Sequence, residues 1–232
     1  ELMKAIEATG KTVVLVLLNG SALAINWADE NLVAIVSAGY PGQEGGHAVA
    51  DVLFGDYNPA GRLPVTYYKS VNQLPPFEEY DMQGRTYRYF KEEPLYPFGY
   101  GLSYTTFKYN GLEIPSETKA GEPVKVKVNV TNTGSMEGDE VVQLYLTDEK
   151  ASTPRPIVQL EGFNRIHLQP GESKSVEFEL TPRQFSMIDK DENRVIEPGE
   201  FTVYVGGGQP GKKGAVTVSE KIELTGDKVK IE

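Results

Sequence analysis

Carboxylates are the residues of this sequence best suited to chemistry, and Glu44 stands out among them. It lies in Tyr40-Pro-Gly-Gln-Glu-Gly-Gly46, between an apolar run and a helical one. Strand-to-helix loops of this kind are where sites of layered α/β proteins usually form. Its plainer role is a helix N-terminal carboxylate held by backbone N–H groups and the helix dipole; lining a substrate pocket is the other. Three glycines at this spacing do not make a nucleotide fingerprint. His47 has no serine or cysteine partner at a defined spacing, so it reads as a helix-surface residue rather than part of a nucleophilic triad. His167 reads as a solvent-facing strand residue. Asp189-Lys-Asp191-Glu-Asn193 alternates oxygen donors as a calcium loop does. It lacks the central glycine and distal glutamate of an EF-hand, so a hairpin turn explains it better. The acid pairs Asp29-Glu30, Glu78-Glu79 and Asp191-Glu192 are sequence neighbours in helix, linker and turn. Exposed carboxylates keep pKa values of about 4, too low for a general acid at neutral pH. No segment offers an obvious dry pocket to raise one.

The elements that would position these groups fall into three stretches. Residues 1–9 read as a helix closed by Gly10. Thr12–Leu18 and Leu32–Ala38 are runs apolar on both faces, as in strands buried inside a parallel sheet. A short helix around Trp27–Glu30 lies between them, and a second through His47–Phe54 ends at Gly55. This β-α-β-α alternation marks a layered α/β unit. Two strands alone cannot cover a sizeable core, so an apolar face is left over. Residues 56–105 are dense in proline, glycine and tyrosine without periodicity; their aromatics can order the stretch by packing on a surface. From Phe107 the pattern is all-β. Val124-Lys-Val-Lys-Val-Asn-Val130 alternates cleanly. Further strands are expected at 108–114, 140–147, 157–165, 174–180, 186–189, 201–206 and 215–224, separated by turn signals such as Pro170-Gly171 and Pro198-Gly199. Short strands at this spacing indicate an immunoglobulin-like sandwich.

A net charge of −10 over 232 residues argues against nucleic-acid binding, since the nearest basic patch is the pair Lys212-Lys213 in a turn. The absence of cysteine rules out thiol catalysis, disulfides and thiolate metal sites. The longest apolar run, Val13–Leu18, is too short to cross a bilayer as a helix. Glu1–Ile6 reads as the middle of an amphipathic helix with no cap before it. On that ground the chain is expected to be a fragment or a processing product.

Several strings resemble glycoside hydrolase family 3. Ala50-Asp-Val-Leu-Phe-Gly-Asp-Tyr-Asn-Pro-Ala-Gly-Arg-Leu-Pro-Val-Thr66, Gly84-Arg-Thr-Tyr-Arg-Tyr-Phe90 and Pro94-Leu-Tyr-Pro-Phe-Gly-Tyr-Gly-Leu-Ser-Tyr104 resemble its second domain. Val128-Asn-Val-Thr-Asn-Thr-Gly134, Leu160-Glu-Gly-Phe163 and Glu197-Pro-Gly-Glu-Phe201 resemble its fibronectin type III-like domain. The resemblance implies an exo-acting β-glycosidase that retains configuration, cleaving terminal glucose or xylose, with no cofactor and no metal. Retention needs two carboxyl groups about 5 Å apart. In the family these are an aspartate on a TIM barrel and a glutamate earlier in the second domain; neither motif matches a position here, so no catalytic residue is expected in this chain. Tyr40, Glu44, Arg85 and Tyr87 are the candidates for substrate-proximal residues. Arg85 and Tyr87, with Arg88 and the neighbouring tyrosines, fit either inter-domain packing or a sugar subsite.

The expected organisation is therefore the end of an α/β sandwich domain over 1–68, an ordered aromatic and proline-rich linker over 69–105, and a fibronectin type III-like β-sandwich over 106–232. The expected partners are an upstream polypeptide carrying the TIM barrel with the rest of the α/β layer, and an oligosaccharide substrate. Nucleic acid and a membrane span are not expected. A periplasmic or secreted location suits a bacterial member. The competing expectation is a non-catalytic module that binds polysaccharide or buttresses a partner domain.

Overall fold

A computed structural model describes residues 1–231. The first unit comprises α1 (Leu2–Glu7), β1 (Val14–Leu17), α2 (Asn26–Asn31), β2 (Ala34–Ser37) and α3 (Gly45–Phe54). β1 and β2 pair in parallel, Val14 opposite Ala34 and Leu17 opposite Ser37. α3 ends where expected, at Gly55, whose φ of 84° is the left-handed conformation that glycine tolerates. α1 stops earlier than expected, with Ala8 as its last cap residue. The strands are shorter than their apolar runs and, contrary to the double-sided pattern, none of their residues is fully buried. Each strand has only the other as a neighbour, and the short helices cannot roof both faces. Leu2, Leu18, Val33 and Phe54 consequently face solvent.

Residues 56–105 contain a 3-10 turn (Val71–Gln73) and the single-turn α4 (Thr86–Tyr89), neither of which the sequence suggested. The stretch is ordered by two strings lying side by side: Leu63 N–H donates to Tyr100 O (2.8 Å), Gly99 N–H to Leu63 O (2.8 Å) and Tyr67 N–H to Tyr96 O (2.9 Å). A Cβ on Gly101 would collide with the Gly61 carbonyl, so the Pro-Phe-Gly-Tyr-Gly string needs glycine there for close approach. Tyr87 stacks on Phe98 (4.2 Å between ring centres) and Tyr68 meets Phe90 edge-on (4.9 Å).

The sandwich begins with β3 (Phe107–Glu113), β4 (Glu117–Lys119), β5 (Val124–Asn132), β6 (Gly138–Asp148), β7 (Gln159–Leu168) and β8 (Ser173–Leu180). After α5 (Pro182–Phe185) come β9 (Met187–Ile188), β10 (Arg194–Ile196), β11 (Gly199–Gly206), β12 (Thr217–Thr225) and β13 (Val229–Lys230). One sheet runs β4-β12-β11-β6-β7 and faces a second, β3-β5-β8. Between them the valines of β5 meet Leu144, Leu146, Val203, Val205 and Ile222. The segment expected as a strand at 186–189 instead joins a small separate sheet, β13-β10-β9, whose other members are too short to leave a periodic signal. β6 departs from simple alternation: Gln143 and Tyr145 are buried on its outer face because the 56–105 stretch lies over it, while Glu140, on the inner face with Val142 and Leu144, is met by Arg62 of that stretch.

Candidate functional site

The loop from β2 to α3 carries Tyr40 and Glu44. Tyr40 lays its ring against Gly20, in the loop that follows β1, and is 81% exposed. Glu44 occupies the N-cap position of α3, yet its side chain makes no capping bond, which corrects the expected role. Its carboxylate instead meets His47 Nδ1 at 2.6 Å, one helical turn on, with both side chains in solvent. The i,i+3 spacing favours that pair over the cap. Arg85 and Tyr87 belong to a different place. The Arg85 guanidinium donates to the carbonyls of Pro76 (2.8 Å), Glu79 (2.6 Å) and Asp81 (3.2 Å), clasping the loop ahead of it. Tyr87 lies between linker and sandwich: its hydroxyl accepts from Leu160 N–H (3.0 Å) and its ring meets Tyr145 edge-on. No hydrogen bond among the described residues joins these two to Tyr40 or Glu44.

Three polar joints lay outside the sequence reading. In the first, Arg62 donates through one terminal nitrogen to both Glu140 oxygens (3.0 and 3.1 Å) and through Nε to Gly207 O (3.2 Å). The Tyr109 hydroxyl lies beside that carboxylate without a hydrogen bond of good geometry to it. Gln143 Nε2 bridges Gly99 O and Gly207 O (3.3 and 3.1 Å), and the Tyr145 hydroxyl donates to Gln143 Oε1 (2.6 Å). In the second, Tyr96 donates to Asp29 on α2 (2.5 Å), while Lys213 from the sandwich pairs with Asp29 (3.4 Å) and stands 5.0 Å from the Tyr96 ring centre. In the third, the Tyr57 hydroxyl accepts from Arg165 (2.6 Å), which pairs with Asp139. At the C-terminal edge of the parallel pair, the Tyr67 hydroxyl lies 3.3 Å from both Asn19 Nδ2 and Ser37 Oγ.

Dry carboxylates do exist, contrary to expectation, because linker and loops roof them. Burial is the leading cause that raises Glu140, Asp148 and Glu161 above the ordinary carboxylate range. The offset comes from Arg62 at Glu140, from Arg155 at Asp148, and at Glu161 first from the Gln159 side-chain hydrogen bond and then from the Arg88 charge. Glu140 and Asp148 are eight residues apart on β6, about 27 Å at ~3.4 Å per residue, far beyond the ~5 Å of a retaining pair. Glu140 and Asp148 are built as ionic joints, and Glu161 is held by the side-chain amide of Gln159. The Asp189–Asn193 segment is a hairpin between β9 and β10, in which Asp189 Oδ1 accepts from the N–H groups of Asp191 and Asn193. No group of three or more potential metal ligands occurs among the described residues, and none of their helices is long and apolar enough to cross a membrane.

Residues 1–104 match the glycosyl hydrolase family 3 C-terminal domain, and residues 140–209 match a fibronectin type III-like domain. Over 219 residues the chain is 45% identical to a periplasmic β-glucosidase of Salmonella typhimurium, covering 89% of this chain and 29% of that protein. It is likewise 45% identical over 212 residues to a β-xylosidase of Formosa agariphila, covering 89% of this chain and 29% of the relative. Among solved structures, a β-glucosidase of Erythrobacter marinus superposes with a TM-score of 0.84 at 41% identity, covering 97% of this chain and 29% of that one. The chain thus spans under a third of the length of the relatives it matches.

Proposed function

The chain belongs to glycosyl hydrolase family 3, and we propose that it is the C-terminal portion of a retaining, exo-acting β-glycosidase that removes terminal glucose or xylose from oligosaccharides. The observation that carries this reading is the 45% identity sustained across both units with proteins named β-glucosidase and β-xylosidase. The nucleophile and the acid/base lie in the remainder of the complete protein, and the partner of the exposed β1–β2 sheet is that same polypeptide. Support comes from the buried carboxylates Glu140 and Asp148, both paired with an arginine, and from the apolar residues left open around the two strands. The sandwich acts as a buttress, bound to the α/β unit and linker through polar joints. The Salmonella relative's name supports a periplasmic or secreted location for the complete protein.

The test is a comparison of this chain with the complete polypeptide on aryl β-glucosides and β-xylosides, following the product anomer by NMR. The complete protein should release sugar with retained configuration and this chain should release none. Turnover by the chain alone that Glu44→Gln abolishes would overturn the division of labour. An inverted product would overturn the reaction class.

A further inference from the structure

Phe77 and Tyr80 are the two most exposed large apolar side chains of the loop region, at 89% and 92% exposure. Both stand on the loop Pro76–Gln83, whose residues are all exposed. That loop is nevertheless braced by its own hydrogen bonds. Arg85 clasps the carbonyls of Pro76, Glu79 and Asp81, Glu79 N–H closes a turn onto Pro76 O (3.1 Å), and Asp81 Oδ1 accepts from Gln83 N–H (2.9 Å). Its far end is fixed at Thr86, a β-branched residue with φ of 53° whose N–H donates to the Tyr68 hydroxyl (3.0 Å). Such a conformation is rare for a β-branched residue and persists only where surrounding contacts impose it. A braced loop that displays two aromatic rings to water marks a binding surface.

The charges around the rings select the ligand. Glu78, Glu79 and Asp81 lie between and beside them along the chain, and the guanidinium of Arg85 is engaged by backbone carbonyls. An anionic ligand meets repulsion here. An apolar protein surface would have to desolvate three carboxylates, which interface centres avoid. A neutral sugar satisfies both features, since its hydroxyls donate to carboxylates and its C–H face lies on an aromatic ring. We propose that Phe77 and Tyr80 form a stacking platform for an uncharged pyranose chain, with the carboxylates of Glu78, Glu79 and Asp81 accepting from its hydroxyls. The choice of sugar as the ligand class rests on the function proposed above; the placement of the site rests on the loop itself.

The test is binding, so it does not depend on turnover. The chain is titrated calorimetrically with cellotetraose, xylotetraose and, as an anionic counterpart, tetragalacturonate. At least one neutral tetrasaccharide should bind, and Phe77→Ala and Tyr80→Ala should each weaken it roughly five- to tenfold, the loss of about one stacked ring. Val71→Ala, at an exposed apolar residue outside the loop, should leave it unchanged. Tetragalacturonate should bind more weakly, most clearly at low salt. Absence of binding by both neutral sugars overturns the platform, as does binding that both alanine variants retain or a preference for the anionic sugar. A chain that binds while the complete protein proves not to be a glycosidase overturns only the proposed activity. A working glycosidase whose chain binds neither sugar overturns only the platform.

Discussion

Replacing Arg62 with methionine should destabilise the chain far more than a surface substitution, because it strands Glu140. The two side chains are only 10% and 3% exposed, and Arg62 also holds the carbonyls of Gly207 and Ala60. Removing one partner of a buried ion pair costs about 3–5 kcal/mol, since the remaining charge is left dry and unpaired. A chain of this length loses roughly 2–4 °C of melting temperature per kcal/mol, so Arg62→Met should melt about 10 °C lower in a calorimeter. The double variant Arg62→Met/Glu140→Leu should regain most of that loss, because two apolar side chains of similar bulk replace the pair without leaving a charge.

The pH dependence adds a second readout. Burial, the dominant cause, raises Glu140, and the Arg62 charge offsets only part of it. A carboxyl whose folded pKa exceeds its unfolded value contributes stability that is complete below about pH 4.3 and is lost as pH rises through the folded value. Without Arg62 the folded value climbs further. The deficit of Arg62→Met should therefore be larger at pH 8 than at pH 5, where the stranded group can take a proton. A loss under about 1 kcal/mol, of the size seen for exposed pairs, would refute the reasoning, as would a double variant no more stable than the single one.

His167 pairs with Asp139 (2.7 Å) and is raised by that bond, whereas Asp139 is lowered, burial opposing the bonds from His167 and Arg165. The pairing should hold fully below about pH 6.5, weaken as pH rises through the elevated histidine value, and weaken again when acid protonates Asp139; an NMR titration in which His167→Gln leaves the Asp139 profile unaltered would sink this coupling. Residues 106–232, expressed alone, should unfold cooperatively but at a lower temperature than 56–232, because the shorter piece bares the outer face of β6 around Gln143 and Tyr145. Equal melting temperatures would mean that the linker adds nothing to the sandwich.

What the sequence made legible was what short-range pattern controls. Alternating valines marked β5, a glycine marked the end of α3, and turn residues separated the larger strands. Strands of two or three residues, such as β10 and β13, carry too little pattern to announce a sheet. The linker's aromatics signalled packing without saying which rings would pack: Tyr67 and Phe90 are buried, Phe77 and Tyr80 are not, and only the tertiary neighbour distinguishes them. Glu140 looked like an ordinary polar strand residue because the arginine that neutralises it lies 78 positions away. Glu44 and His47 were visible as neighbours on one turn, but spacing alone could not decide between a cap and an ion pair.

The distribution of polar and apolar contacts gives the molecule a direction. Toward the sandwich, the α/β unit and linker are fastened by charge: Arg62 to Glu140, Asp29 to Lys213 through the Tyr96 ring, and Tyr57 to the Arg165–Asp139 pair. Charged contacts of this kind fix orientation, because a bidentate or ring-stacked cation tolerates little sliding. Around β1 and β2 the reverse holds: Leu18 and Val33 stand open on a sheet whose strands have one neighbour each. Apolar surface of that kind is non-directional and is stabilised by simple coverage. The two kinds of surface divide the work. On the function proposed above, the polar joints set the angle at which the parallel strands and the β2–α3 loop are held, and the uncovered strands would supply the adhesive area for the rest of an α/β layer. A substitution at Asp29 or Lys213 should accordingly alter the alignment of that layer while leaving the cores of the sandwich and of its partner intact.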